Sequence, residues 1–541
     1  MRRVLVLAVV VTAVALSVGV VAADASIADP AECDADVTTE AVGCWNGVHH
    51  GDHPEDDLGI PLDGADDLSD EQLELLISHQ MARVEAIRER PFESTVPVEV
   101  MTREEFTADR ADRESDPEFD RWNDQVWKAL FVIGEDDSSG EVINDVFSGA
   151  VAGFYSPADG RITIVVDDTE SVSISPTTLL HELGHAMQDQ YDDLSDPRYS
   201  GATQDADLGV NGIVEGEVVY IEEVYAERCE GEWTCLDEPS ESGGGDAGTT
   251  DPNLGVFFTV FQPYSDGAPY VDELIEADGW EAVDDLMADP PKTTRETIHR
   301  EPFDPVPIEY TDTAVGGWET YDEQGINGSD TAGEASIFVS MWYQSTTYDA
   351  GVMEYDHVFD TVHPYRTYNY AHPATTGWAN DELYPYRNDA GAEERDGYVW
   401  VTEWETDADA AEFHEAYLRI LDAHDADHRE DGIYHVADGD FRGAYGIERN
   451  DTTVTIAHAL EPESVFELRP NIVLDEPEPE VGDVPESPSD VPGEYGDDPW
   501  APSNPSDPNG STNDPVPGFG VVTALVALLV TLTAAVRRIG S

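Results

Sequence analysis

The chain has 541 residues, of which 116 are Asp or Glu and 26 are Lys or Arg, a formal net charge of −90 at pH 7. Such a charge repels phosphate backbones and excludes nucleic acid as a partner. It also repels itself until molar salt shortens the Debye length to about 3 Å, so the composition is that of an extreme halophile; with 11 Trp and 22 Tyr available for a core, the acid excess is a property of the surface and not of a disordered chain.

At the N-terminus, Arg2-Arg3 and an apolar run from Val4 to Val21 precede Ala22-Ala23-Asp24-Ala25. This predicts a signal peptide over residues 1–23, cut after Ala23 or Ala25, and a body outside the cell; an uncleaved anchor is the alternative. An acidic segment, 24–65, follows. Four cysteines allow three connectivities, and short local loops favour Cys33 with Cys44 and Cys229 with Cys235 over a zinc cluster, for which no CxxC spacing is present. Sequons at Asn327, Asn450 and Asn509 agree with an extracellular location. His49, His50 and His53 stand close together without a ligand pattern; a second metal site there is the alternative to ordinary surface histidines.

Phe154-Tyr155 and Arg161 to Val166 flank the turn signal Ser156-Pro157-Ala158-Asp159-Gly160, which predicts a β-hairpin. It is read either as a core hairpin or as an edge strand able to pair with an extended peptide. Shortly after it comes Leu179-Leu180-His181-Glu182-Leu183-Gly184-His185, of the HExxH form. Ser175-Pro176 supplies an N-cap and first helical position, and Leu179, Leu180, Leu183 and Met187 form an apolar stripe. On this helix His181 and His185 share a face and can both turn a ring nitrogen to one zinc ion, with Glu182 beside the open position as general base. The alternative is a helix with two solvated histidines.

A third ligand must come from elsewhere. Asn211 to about Arg228 reads as a helix with Val214, Val218 and Val219 on its apolar face, and Glu215 lies among them, a costly place for a carboxylate without a cation. Glu217, two residues on, points elsewhere. Glu215 is therefore the expected third ligand and Zn2+ the expected cofactor.

The HELGH helix followed by the VEGE segment resembles the gluzincin group of zinc metallopeptidases, in which a glutamate on a following helix completes the metal site. A narrower resemblance is to secreted prokaryotic and haloarchaeal surface proteins. It is carried by HELGHAMQDQYDDL (His181 to Leu194), GFYSPADGRITIVV (Gly153 to Val166), PPKTTRETIHR (Pro290 to Arg300), GWANDELYPY (Gly377 to Tyr386) and WETDADAAEFHEAY (Trp404 to Tyr417). The resemblance implies a zincin-like metallopeptidase part over 66–308, a protein or peptide substrate, and a histidine at His299 that could stabilise an oxyanion; a histidine hydrogen-bonded within the fold is the alternative for His299. A zinc-containing surface protein without turnover is the competing function.

Residues 309–474 predict an α+β portion. Ile337-Phe338-Val339 is helix-like, Tyr398 to Val401 is strand-like, Ala408 to Ala423 is an amphipathic helix with Phe413, Tyr417 and Leu421 inward, and Thr453 to Ala457 is a late strand. The fold class expected of the body is α+β.

From 475 to 516 the chain turns to Glu, Asp, Pro, Ser, Gly and Asn, which predicts an extended, disordered stalk. Pro517-Gly518-Phe519-Gly520, an apolar run from Val521 to Val536 and Arg537-Arg538 follow, so 517–541 predicts an apolar membrane helix with a basic end. This tail resembles the PGF-type sorting signals of haloarchaea, which implies processing at Pro517-Gly518-Phe519 by an archaeosortase-like enzyme and a lipid anchor; a plain transmembrane anchor is the alternative. Both readings tether the body to the outer face of the cell membrane.

Overall fold

The structure is a computed structural model that describes residues 42–474, apart from short breaks at 64–67, 112–115, 149–150, 170–171, 240–251 and 392–393, together with residues 27, 28 and 33. The expected signal peptide, stalk and sorting tail, with Pro517, Gly518 and Phe519, lie outside the described residues. Within them the fold is mixed α and β, the class the sequence predicts, and no helix is long and apolar enough to cross a membrane.

The first half of the chain opens with a short hairpin, β1 (Cys44–Trp45) and β2 (Val48–His49), packed on α1 (Asp70–Arg88). Next come β3 (Val98–Thr102), α2 (Arg103–Ala111), α3 (Pro117–Ala129), α4 (Ser139–Ser148), β4 (Gly153–Ser156) and β5 (Arg161–Val166). The predicted hairpin is β4–β5, and β3 adds to it in parallel, giving the order β3-β5-β4 with β4 at the edge. Because the Val165 amide donates to Ala152 O, alternate residues 154 and 156 face β5 in the ladder, and Gly153 and Tyr155 turn their backbone groups toward the open edge.

Helices α5 (Pro176–Asp192), α6 (Gln204–Cys229), α7 (Leu254–Asp278), α8 (Trp280–Ala288) and α9 (Thr294–His299) follow. In α5, Ser175 Oγ caps the Thr178 amide at 2.9 Å and Pro176 occupies the first turn; Asp193, left-handed at φ 50°, ends it. Leu179, Leu180 and Leu183 are buried in a core shared with α1 and the three-stranded sheet. Gly184 lets α5 approach α6, since a Cβ there would stand 3.0 Å from the methyls of Val218. Helix α6 starts at Gln204, earlier than the sequence suggests. Its glycines serve contact: a Cβ on Gly216 would lie 2.6 Å from the Gly267 backbone of α7.

The second half is built on a seven-stranded antiparallel sheet of order β6-β7-β8-β12-β11-β10-β9. Its strands are β6 (Glu319–Thr320), β7 (Trp378–Asn388), β8 (Arg395–Trp404), β9 (Asp427–His428), β10 (Tyr434–Val436), β11 (Gly443–Asn450) and β12 (Thr453–Ala459), joined with α10 (Gly333–Tyr348), α11 (Asp407–Ala423) and α12 (Pro462–Leu468). The periodicity of 408–423 gives α11, which buries Phe413, Tyr417 and Leu421. One hydrophobic core crosses the 308/309 boundary: Trp122, Phe258, Phe261 and Tyr264 belong to the same cluster as Trp342, Trp400 and Tyr417. A further core on the sheet gathers Trp318, Val399, Ala457 and Leu468.

Candidate metal centre

The two histidines of α5 and one glutamate of α6 converge. His181 Nε2 and His185 Nε2 are 3.1 Å apart, and Glu215 Oε2 lies 3.4 Å from the first and 3.3 Å from the second. Among the described residues this is the single group of three or more His, Cys, Asp or Glu ligand atoms lying within 4.8 Å of one another. Four ligands set tetrahedrally around zinc at about 2.0–2.1 Å stand about 3.3–3.4 Å from each other, so the triangle has the dimensions of three corners of that tetrahedron. The donor set, two neutral imidazoles and a carboxylate, suits the same ion.

Burial makes the arrangement costly without a cation. His181, Glu182, His185 and Glu215 are each no more than 3% exposed, and Glu215 Oε2 and both carboxylate oxygens of Glu182 have no hydrogen-bond partner among the described residues. Burial alone would neutralise His181, yet the Glu222 and Glu215 carboxylates outweigh it and hold the ring well above its usual pKa. His185 is also raised, burial again being outweighed by Glu215. Against its own burial, Glu215 is drawn down to about 2 by the two imidazoles. The potential that attracts protons to these rings attracts a metal dication in their place. Glu182 behaves in the opposite way: burial raises its carboxyl, and His181 and His185 oppose without reversing it.

Each histidine is oriented through its second nitrogen. His181 Nδ1 lies 3.3 Å from Glu222 Oε1, and His185 Nδ1 lies 3.0 Å from Gln188 Oε1. Gln188 in turn donates to Val214 O at 2.9 Å and to Glu217 Oε2 at 3.0 Å. Such partners fix the tautomer that leaves Nε2 as the acceptor for a metal. Glu217 points away from the triangle to the buried Arg88, which also meets Asp284.

Sequence reasoning missed three residues here. Gln188 follows His185 by three positions and Glu222 follows Glu215 by seven, both on the same helical face, so a search at helical spacing would have found them. Tyr264 carries no such signal. Its ring stacks on His181 at 6.3 Å, and burial with the Glu215 and Glu182 charges pushes the phenol well above its usual range.

His299 is not brought into this group. It ends α9, whose Thr297 packs on Gly212, and its Nε2 meets both oxygens of the fully buried Glu334 at 2.9 and 3.0 Å. Away from the metal group, Cys33 is joined to Cys44 and Cys229 to Cys235.

A family model described as a domain of unknown function, DUF8575, matches residues 319–469. That span begins at β6 and ends past α12, so it covers the seven-stranded sheet and not the metal group. No curated protein and no solved structure matches the chain.

Proposed function

We propose that the chain is an extracellular zinc metallopeptidase of gluzincin type, tethered to the cell membrane by its C-terminus. The observation that carries this reading is the His181–His185–Glu215 triangle with the unpaired carboxylate of Glu182 next to it in sequence and buried beside it. Bound zinc would polarise the scissile carbonyl and make a neighbouring water more acidic. Glu182, with a raised carboxyl, takes the proton of the attacking water and passes it to the leaving amine. The Tyr264 phenol, stacked on His181, donates to the developing oxyanion; His299, already engaged with Glu334, is less free for that role. Gly153 and the Tyr155 carbonyl at the open edge of β4 offer backbone groups to an extended substrate strand.

The depth of the group favours a competing reading, a zinc-containing surface protein without turnover. A purely structural zinc site has no use for a base and closes with four protein ligands; here there are three. Metal content and casein hydrolysis in multimolar salt, compared for the wild type and Glu182→Gln, separate the two. Equal hydrolysis by both removes the catalytic assignment, and zinc without hydrolysis in either favours the structural protein.

A further inference from the structure

Helix α1 carries two buried arginines that are compensated differently. Arg88 pairs with Glu217 and Asp284. Arg83, 1% exposed, meets neutral groups: Nε donates to His50 O at 3.2 Å, Nη2 to Thr234 O at 2.8 Å, and Nη1 to the Tyr225 hydroxyl at 3.4 Å. In a chain with 116 acids and 26 Lys plus Arg, a buried guanidinium with no carboxylate partner among the described residues is unexpected, and a buried charge without a counter-charge is costly.

A second guanidinium stands near it. Arg83 and Arg228 lie over the Trp233 ring at 5.0 and 4.8 Å, and His50 is 5.6 Å from the same ring. Arg228 has a carbonyl, Ala86 O, as its hydrogen-bond acceptor. Three shielded nitrogens in this corner, Trp233 Nε1, His50 Nδ1 and His79 Nε2, have no hydrogen-bond partner among the described residues. Burial lowers the His50 ring to about 4, and His49, Arg228 and Arg83 add to that effect.

We propose that this corner, between α1, the β1–β2 hairpin and the Cys229–Cys235 loop, binds one small inorganic anion of the halide class. Arg83 and Arg228 supply the charge, and the Trp233 indole N–H is the main hydrogen-bond donor. The choice of a monatomic anion follows from the donors. All three nitrogens of Arg83 are already engaged with protein acceptors, so the buried guanidinium offers no planar fork to a carboxylate or phosphate, and the shielded donor that remains beside it is the single Trp233 indole N–H. A polyanionic macromolecule is excluded by the net charge of −90. The consequence reaches the metal helix, because Gln80 of α1 donates to Pro176 O in the first turn of α5 at 2.9 Å. An anion that fixes α1 to the disulfide loop also steadies the mount of His181 and His185.

The test uses the full chain at fixed pH and sodium concentration, with chloride exchanged for methanesulfonate. Wild type should melt roughly 4 °C higher in chloride, and Arg228→Met should reduce that difference to about 1 °C or less. Trp233→Phe, which keeps the stacked ring and removes the N–H, should reduce it as well and serves if Arg228→Met fails to fold. Crystals grown in sodium bromide should show an anomalous peak within hydrogen-bond reach of Trp233 Nε1. No peak, or the same chloride effect in wild type and in the variants that fold, overturns the assignment; a peak without chloride-specific stabilisation means an adventitious ion only and overturns it too.

Discussion

Gln188 Nε2 donates to Glu217 Oε2 at 3.0 Å, and this contact separates the roles of the two acids in Glu215-Gly216-Glu217. Glu215 faces the histidines; Glu217 holds Gln188 on one side and Arg88 on the other. Glu215→Gln should therefore lower zinc affinity by at least about 100-fold, whereas Glu217→Gln should leave zinc stoichiometry near that of the wild type. The second variant should instead lose stability, toward the lower end of about 3–5 kcal/mol, because Asp284 still faces Arg88. Zinc analysis beside urea unfolding distinguishes the two. Similar zinc loss in both variants would mean that the wrong acid has been assigned.

Tyr264 is tested by removing one oxygen. Tyr264→Phe keeps the ring on His181 and should reduce kcat on the order of 100-fold with KM and zinc content little changed. His299→Ala should cost less in kcat and more in thermal stability, since it leaves Glu334 buried without its partner. A larger kcat loss in His299→Ala than in Tyr264→Phe would reverse these roles.

Chelation should loosen the fold as well as abolish hydrolysis. Without a metal, the buried Glu215 has only the two imidazoles as counter-charges, and these must take up protons to serve. A chelator should lower the melting temperature by roughly 5 °C or more, and zinc should restore it where magnesium does not. An unchanged melting temperature in metal-free protein would show that the triangle holds no metal.

Acidic groups at the junction of the two halves predict a pH dependence. Burial raises Asp205 from 3.8 to about 8 and Asp330 to about 7, despite the Thr294 and the Gln204 and Thr331 donors respectively. In the unfolded chain both ionise near pH 4, so between pH 4 and 8 the folded state binds more protons. Their stabilising effect is complete below about pH 4 and is lost as pH rises through 7 to 8. At constant salt the melting temperature should fall from pH 6 to pH 9. Asp205→Asn keeps an oxygen for Thr294, which donates at 2.9 and 2.6 Å, and should flatten that fall. An equally steep fall in the variant would place the titrating groups elsewhere.

The Pro517-Gly518-Phe519 motif precedes the apolar run from Val521 to Val536. Replacing Pro517-Gly518-Phe519 by alanines should leave a membrane precursor that retains Arg537 and Arg538, seen by intact mass, with the zinc content of the body unchanged. A wild-type surface form that itself retains both arginines would show a plain transmembrane anchor.

What the sequence determined by itself was local. The i, i+4 geometry of one helix turns His181 and His185 to one side, and a proline and a capping serine start that helix, so two of the three residues of the triangle need no tertiary information. Glu215 was legible for an energetic reason: a carboxylate set among Val214, Val218 and Val219 has to meet a cation. The β4–β5 hairpin and α11 were legible from periodicity and turn residues. Tertiary structure alone decided the rest. Strand β3 joins β5 from about 60 residues away, and no local pattern announces a long-range parallel pairing. Helix α7 is interrupted in sequence by Pro263 and Pro269, which mask it as a helix, and so nothing marked Tyr264 as a neighbour of His181. Gly184 and Gly216 read as weak helix formers until the close crossings with Val218 and Gly267 give them a purpose. Backbone geometry is set within a few residues, whereas burial and charge pairing are set by whatever the fold brings alongside. For that reason the convergence of His181, His185 and Glu215 could be read from the chain, and the residues that orient and surround them could not.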